Sequence, residues 1–382
     1  MYIEGNGGDL HREYLSRSSE DQNSTNEIVE ELLWAGIDAM YSYRFREAST
    51  FLDSALILNP IHVVAPFVAV ANQWLRIDTE QGYATSHDSL FNAIKVTIPR
   101  YAQLREQDEQ RADVLLFLGS TYGLRARIHL ANKNWVSVLY SGVKGWNLIR
   151  TAHDLDSTLT DAYLPIGIFS YYTGTSSTPI QFAARIFGIL PDRNSGLRFL
   201  ERAAREAPHA WIEAAYILSQ IYLYIENDPE NALRHTDRLV QHYPENYDFN
   251  FLLAEELVRL HRVDEAKEFI PHLEAHIAQS HPNQRLEWDL KFAALEAALA
   301  YSVGEYDKAL ERSQWVIDHY DMEFDWHLGF AYYFRGKIQE KRGDWKRARD
   351  DYQSVIDLDN RTYAIDQART ALLLLEQSTG LK

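Results

Sequence analysis

The stretch Gly343-Asp344-Trp345-Lys346-Arg347-Ala348 decides the fold, because it has the composition of a tight turn between two helices. Gly336 precedes it, and Tyr352 and Val355 follow it at helical spacing. Glycine ends a helix well, since it adopts the left-handed conformation without a steric penalty from Cβ. The small residues Gly336 and Ala348 let the two helices approach closely. We therefore predict a helical hairpin here.

The same pattern returns along the chain. The preceding copy is Gly304-Glu305-Tyr306-Asp307-Lys308-Ala309, with Ala297 before it and Val316 after it. The first copy is Tyr43-Arg44-Phe45-Arg46-Glu47-Ala48, with Gly36 before it. A single hairpin leaves an apolar face uncovered, so successive hairpins must stack to bury it. Self-similarity of this kind predicts a solenoid.

These motifs resemble the tetratricopeptide repeat family. The small residue of the second helix recurs at Ala232, Ala266, Ala309 and Ala348, at separations of 34, 43 and 39 residues, against a family period of about 34. The repeat-ending proline of the family is matched by Pro60, Pro208 and Pro244.

The elements Tyr171-Tyr172, Gly196 and Tyr243-Pro244-Glu245-Asn246 resemble degenerate bacterial members of that family. The resemblance implies an all-α fold. It implies a right-handed superhelical solenoid of about eight helix–turn–helix repeats with a C-terminal capping helix.

The chain divides into segments of different regularity. Residues 1–26 are polar and rich in Gly, Ser and Asn, which predicts a disordered lead-in. Residues 27–382 form the predicted solenoid. Within it, we expect degenerate repeats over 27–206, more regular repeats over 207–360 and a capping helix over 361–382.

An insertion interrupts the degenerate repeats at about residues 173–194. It opens with the loop-forming stretch Thr173-Gly174-Thr175-Ser176-Ser177-Thr178-Pro179, and an apolar run from Ile180 to Leu190 follows. Three interpretations remain open: a helix packed on neighbouring hairpins, a lid or plug across the concave groove, and a contact with a membrane surface.

Composition limits the classes of partner. The net charge is −17, which opposes nucleic acid and anionic lipid and favours a neutral or basic protein partner, although acidic surfaces also serve solubility alone. The chain has no cysteine, so disulfides, thiolate nucleophiles and Cys-based metal sites are excluded. No apolar run is long enough for a transmembrane helix.

The sequence shows no specific catalytic motif. It lacks a Gly-rich phosphate loop and a nucleophile elbow. His272 and His276 are four residues apart on one predicted helix, but the glutamate of a zincin motif is absent. We therefore predict a non-enzymatic protein with no catalytic residue, cofactor or metal site.

The family resemblance implies that the first helix of each hairpin lines a concave groove. Carried onto this sequence, it suggests these partner-binding residues: Trp34, Ile37, Asp161, Tyr171, Tyr172, Tyr224, Asp248, Glu255, Tyr301 and Tyr333. Tyrosine suits recognition because it joins an apolar ring to a hydrogen-bonding tip. The Lys and Asn of a carboxylate-clamp repeat are missing, since Leu33 and Ile37 occupy the matching positions.

The predicted function is a protein–protein interaction scaffold that binds a peptide or partner helix in this groove. One alternative is a carbohydrate-active enzyme on a closed α/α toroid, with two carboxylates in a central cavity. Another is a cell-envelope assembly factor. We expect a cytoplasmic location, or a periplasmic one if an export signal lies upstream, and the sequence does not indicate the oligomeric state.

Overall fold

The protein is described by a computed structural model that covers residues 7–131 and 134–379. Over these residues it consists of helices joined by short turns, with no strand. The helices are α1 (Gly7–Tyr41), α2 (Phe45–Leu58), α3 (Val64–Gln81), α4 (Tyr83–Gln107), α5 (Ala112–Ala131), α6 (Trp135–Leu155), α7 (Tyr163–Gly174), α8 (Thr178–Ile186), α9 (Arg193–Glu206), α10 (Trp211–Gln220), α11 (Pro229–His242), α12 (Tyr247–Arg259), α13 (Val263–Gln279), α14 (Pro282–Ser302), α15 (Tyr306–His319), α16 (Trp326–Lys341), α17 (Trp345–Asp357) and α18 (Tyr363–Thr379).

The helices pair into hairpins that stack in chain order. The first helices of the pairs are α1, α3, α5, α7, α10, α12, α14 and α16. Each packs on the second helix of its own pair, which for α7 is α9. Each second helix packs in turn on the start of the next hairpin, and α18 packs on α17 and α16. Ala364, Ala368 and Leu375 of α18 are buried. The prediction of an all-α solenoid of stacked hairpins with a terminal capping helix is confirmed.

Most of the hairpin turns use one left-handed residue. Gly304 and Gly343 have φ of 82° and 76°, as predicted from the sequence. Tyr43, Asn227 and His261 hold the same place at the ends of their first helices, with φ of 58°, 56° and 59°. After Asn227, the next residue Asp228 donates its N–H to the Tyr222 carbonyl, six residues back. In the other four turns the next residue donates its N–H to a carbonyl five residues back, for example from Arg262 to Leu257 at 2.8 Å. This bond is the Schellman helix end.

Small residues permit the close packing within hairpins. A Cβ placed on Gly36 would lie 2.8 Å from Leu52 Cδ2, and one on Gly336 would lie 2.9 Å from Tyr352 Cε1. The recurring alanines of the second helices are fully buried: Ala48, Ala232, Ala266, Ala309 and Ala348. The predicted role of these positions follows directly from the geometry.

The N-terminal segment differs from the expectation. The sequence predicted a disordered lead-in over residues 1–26, whereas α1 begins at Gly7. Residues 7–26 contain no proline, and adding a residue to an existing helix costs far less than nucleating a new one. The part of the expectation that concerns residues 1–6 lies outside the described residues, as does the part of the capping segment beyond residue 379.

The insertion contains the short helix α8. Ala184 and Ile189 pack with buried residues of α5, α6 and α7. Phe182 and Ile186 point the other way and are 65% and 66% exposed. One face of the insertion thus matches the packed-helix interpretation, and the other is in solvent. None of the described helices combines the length and the apolar content that crossing a bilayer requires.

The superhelix curls until distant hairpins touch. Helix α3 packs on α14. Tyr41 at the end of α1 donates to Glu213 of α10 at 3.4 Å, and the Arg127 guanidinium of α5 donates to Glu323, just before α16, at 2.9 Å. Inner faces of the N-terminal hairpins therefore cover much of the concave surface that the sequence predicted to be an open groove.

Candidate functional site

Where the distant hairpins meet, ionisable residues from three helices and one turn gather. We call Tyr43, Asp78, Asp248, Glu287 and Lys291 the inner cluster. Lys291 Nζ lies 3.1 Å from Asp248 Oδ1 and 3.0 Å from Glu287 Oε1, and Tyr43 OH donates to Asp248 Oδ2 at 2.8 Å. One ammonium thus joins α12 to α14, and Asp248 extends the connection to the first hairpin turn.

The protonation of the inner cluster follows from these contacts. Burial alone would raise the pKa of Asp248, but Lys291 and the Tyr43 hydroxyl outweigh it and lower this pKa. Burial would likewise lower the pKa of Lys291, and Asp248 and Glu287 raise it instead. Asp78 Oδ1 accepts the Ser86 hydroxyl at 2.8 Å. Burial and the nearby Glu287 raise the pKa of Asp78 to about 6.

The contacts of the inner cluster suit a structural role, because they link separate helices to one another. A glycosidase needs two carboxylates that flank a bound sugar, one of them available as an acid. Asp248 and Glu287 instead both contact one ammonium, which favours the ionised form of Asp248. Within the described residues, no three His, Asp or Glu side chains are grouped so that they could hold a metal ion.

Trp34 and Asp161, both predicted groove residues, meet at the start of α10. Asp161 Oδ1 accepts the backbone N–H groups of His209 and Ala210 at 3.0 and 2.9 Å, and Oδ2 lies 2.9 Å from His209 Nδ1. The ring of Trp34 stacks on His209 with a centroid separation of 5.5 Å. Asp161 therefore caps a helix of the next hairpin, and Trp34 covers that cap.

Tyr224 and Glu255 also meet, but in the core. The Tyr224 hydroxyl donates to Glu255 Oε2, and His327 Nε2 lies 3.2 Å from Glu255 Oε1. Trp326 and Phe330 pack on the Tyr224 ring at 5.1 and 5.9 Å. Burial raises the pKa of Tyr224, and Glu255 adds to the shift. Tyr224 has almost no exposed surface.

Three further predicted residues lie on the N-terminal side of the solenoid. Ile37 and Tyr171 are buried, so neither presents a surface to a partner in this conformation. The Tyr171 hydroxyl donates to Glu226 Oε1 at 2.5 Å. Tyr172 is half-buried, and its carbonyl accepts the Arg361 guanidinium at 3.3 Å. The first-helix pattern placed these side chains on the inner face, and the curl of the superhelix then buried that face.

Tyr301 and Tyr333 lie where the inner face is not covered. Tyr333 lines a concavity between α16 and α18, which we call the C-terminal concavity. Its lining residues are Tyr333, Lys337, Glu340, Asp366, Gln367, Thr370, Ala371 and Leu374. Leu374 is 61% exposed. Tyr301 lies next to this concavity, and its ring packs on the ring of Phe334 with a centroid separation of 5.0 Å.

Polar contacts shape the C-terminal concavity. Glu340 Oε2 accepts the Tyr352 hydroxyl at 2.5 Å and the Lys337 ammonium at 2.9 Å. Burial alone would raise the pKa of Glu340, but the Tyr352 and Lys337 hydrogen bonds lower it. Burial also raises the pKa of Tyr333 to about 12, so its hydroxyl is a neutral donor and acceptor. The surface thus offers an aromatic ring, an aliphatic side chain, two carboxylates and an ammonium within one recess.

The family assignment rests on this same part of the chain. Residues 326–359, which span α16, α17 and their turn, match the sequence model of the tetratricopeptide repeat. This hairpin is a tetratricopeptide repeat. It contains Gly336, Gly343 and Ala348, the residues that carried the sequence resemblance, so the resemblance is confirmed there.

Two solved structures align with most of the chain. One is a tetratricopeptide repeat protein from Parabacteroides merdae, 13% identical with a TM-score of 0.37 over 91% of this chain and 99% of that one. The other is yeast Tom70, 12% identical with a TM-score of 0.30 over 97% of this chain and 96% of that one. No curated protein matches the chain.

The sequence missed the residues that complete the inner cluster. Tyr43 was assigned only to a turn, and Asp78, Glu287 and Lys291 were not singled out. Glu287 and Lys291 had a local signal, because they are four residues apart on one helix face. Tyr43 and Asp248 had none, since 205 residues separate them.

His276 lies four residues from His272, and the two were considered above as a possible pair of metal ligands. In the structure His276 packs between aromatic rings. Its ring stacks on Tyr247 at 3.7 Å and meets the Trp288 ring edge-on at 4.6 Å. Burial lowers the pKa of His276 to about 4, although the nearby Asp248 opposes the shift. His276 is therefore a neutral aromatic residue between two rings at neutral pH.

Proposed function

We propose that the chain is a non-enzymatic protein-interaction scaffold that binds a peptide segment or helix of a protein partner in the C-terminal concavity. The observation that carries this proposal is the uncovered end of the inner face. N-terminal hairpins cover that face as far as the start of α16, and beyond this point Tyr333 and Leu374 remain accessible. Tetratricopeptide repeats commonly present such first-helix surfaces to partners.

The chemistry of the concavity indicates what kind of segment would fit. Leu374 and Ala371 offer an apolar contact, and the Tyr333 ring can pack against an aliphatic or cationic side chain. Glu340 and Asp366 supply two carboxylates against the single ammonium of Lys337. Together with the net charge of −17, this favours a neutral or basic partner segment.

The test attaches a photo-reactive amino acid at Leu374 and identifies crosslinked proteins from a native lysate by mass spectrometry. The competing variant is Thr370→Arg, which places a bulky cation in the concavity without touching the core, since Thr370 is exposed. A matched probe at Ile57 of α2, 78% exposed, reports adventitious contacts.

We expect a partner that crosslinks at Leu374, is lost with Thr370→Arg and is absent at Ile57. Equal crosslinking at both positions, or crosslinking unaffected by Thr370→Arg, would contradict binding in the concavity. Tyr224→Ala is unsuitable for this purpose, because Tyr224 is a core residue and its loss would destabilise the fold.

A further inference from the structure

The closure of the superhelix depends on a small polar contact between α4, α5 and the segment that precedes α16. We call Tyr83, His87, Arg127, Asp321 and Glu323 the clasp. Arg127 Nη2 donates to Glu323 Oε2 at 2.9 Å, and His87 Nε2 lies 3.2 Å from Glu323 Oε1. Tyr83 OH donates to Asp321 Oδ1 at 3.1 Å. These contacts join residues about two hundred positions apart in the sequence.

The electrostatics of the clasp favour closure. Glu323 is only 18% exposed, and burial alone would raise its pKa, but hydrogen bonding to His87 and the Arg127 charge lower it. The Arg127 guanidinium also lies 4.6 Å from the Trp74 ring centroid and 5.8 Å from that of Phe324. Arg127 is thus the centre of the contact, with an anion on one side and an aromatic ring on each of two elements.

The apolar cores on the two sides of the clasp are separate. Val70, Leu90 and Ile94 belong to a cluster of α3–α5 residues, whereas Leu290 and Val316 belong to a cluster of α14–α16 residues. These two clusters share no member among the described residues. The contact between α1 and α10 is different, because one continuous apolar cluster includes both helices. Polar contacts therefore predominate at the clasp, whereas a continuous apolar cluster joins α1 to α10.

We propose that the clasp is a salt-sensitive latch that keeps the inner face of the tetratricopeptide-like array closed. Salt weakens the attraction between partly buried charges, less strongly than between exposed ones, whereas it does not weaken apolar packing in the same way. Releasing the clasp separates α4 and α5 from the 320–325 segment, while the α1–α10 contact persists. Trp74 and Trp326 then become more accessible and, with the already exposed Phe324, extend the uncovered inner face from the C-terminal concavity toward the inner cluster. Only this last consequence, a longer surface for a partner, rests on the proposed function.

The latch can be measured on the isolated chain, because the protein has no cysteine. Spin labels at Asp88→Cys and Asp318→Cys occupy exposed sites on the two sides of the clasp. Electron–electron dipolar spectroscopy then gives the distance between them. The salt concentration is raised from about 0.01 M, where the Debye length is about 30 Å, to about 1 M, where it is about 3 Å.

We expect one short distance at low salt and a shift to longer, broader distances at high salt. Arg127→Gln is expected to produce the same shift at low salt, and the reversed pair Arg127→Glu with Glu323→Arg is expected to restore the short distance. Arg262→Gln removes an exposed pair with Glu265 and serves as the matched control with no shift. Circular dichroism verifies that each variant is folded.

A distance that stays short at high salt in the unmodified sequence would overturn the latch, whether or not the variants fold. A shift in Arg262→Gln as large as that in Arg127→Gln would also overturn it. Neither outcome depends on a partner, so failure of the latch and failure of binding in the C-terminal concavity are distinguishable.

Discussion

At the scale of single residues, the turn pattern shows how far local chemistry is predictive. Gly304 and Gly343 predicted that their helices end in a residue with a left-handed backbone. Tyr43, Asn227 and His261 adopt the same conformation without any such signal. The hairpin geometry imposes it on them, and a side chain with Cβ pays roughly 1 kcal/mol or more for that backbone conformation.

We predict that His261→Gly stabilises the protein by roughly 1 kcal/mol, since His261 is exposed and its left-handed backbone suits glycine better. Gly343→Ala is the reciprocal change and should destabilise by a similar amount, because nothing lies within 4 Å of the added Cβ and only backbone strain is introduced. Urea denaturation measures both. Two changes of the same sign would show that the turn conformation does not decide their stability.

A second residue-scale prediction concerns Asp78. Its pKa in the folded chain is about 6, above its ordinary value of 3.8, so the stability linked to this group is fully present below pH 3.8 and is lost as the pH rises through about 6. Asp78→Asn should therefore be more stable than the unmodified chain above pH 6, by about 1 kcal/mol after solvent screening. The difference should disappear below pH 3.8.

The measurement is the urea midpoint of both proteins across that pH range. Asp53→Asn, on the exposed side of α2, is the control for a general loss of negative charge. A pH-independent difference between Asp78→Asn and the unmodified chain would refute the assignment.

At the scale of elements, the sequence located nearly every helix. Spacing of apolar residues and helix-end signals are local properties, and the turns predicted at Gly304 and Gly343 join α14 to α15 and α16 to α17 in the structure. The start of α1 and the structure inside the insertion were harder to predict from the sequence. Neither has a repeat pattern, so only helix propagation and packing on neighbours decide their structure.

The contact between neighbouring hairpins at α10 gives an element-scale prediction. Asp161→Ala removes the acceptor for the N–H groups of His209 and Ala210, which immediately precede α10, and should destabilise the protein by about 1–2 kcal/mol. Asp161→Asn keeps one side-chain oxygen and should recover most of that loss. Faster hydrogen exchange at residues 209–213 would locate the effect.

Asp264→Ala is the matched control, because Asp264 lies fully exposed on α13 and makes only a long contact with Lys267. Thermal denaturation ranks the three variants by stability. If Asp161→Asn were as destabilised as Asp161→Ala, the cap would not be the cause.

At the scale of the whole molecule, Lys291 connects parts of the chain that no local pattern relates. We predict that Lys291→Met destabilises the protein by about 3 kcal/mol, because Asp248 and Glu287 lose their shared cation in a partly buried site. Adding Asp248→Asn should recover part of the loss by removing one unpaired carboxylate. Both effects are measured as shifts of the urea midpoint.

Lys308→Met is the control for loss of a lysine, since its pair with Glu296 is half-exposed and should contribute less than about 1 kcal/mol. Equal destabilisation by the two substitutions would show that the inner cluster does not brace the closed superhelix.

The sequence by itself determined the helices and their pairing into hairpins. All of these follow from spacing within one or two turns of helix and from the small residues of each hairpin. Only the tertiary structure decided that the inner face is mostly covered. That outcome depends on the small rotation between successive hairpins, which accumulates along the array until Tyr43 reaches Asp248 and Arg127 reaches Glu323.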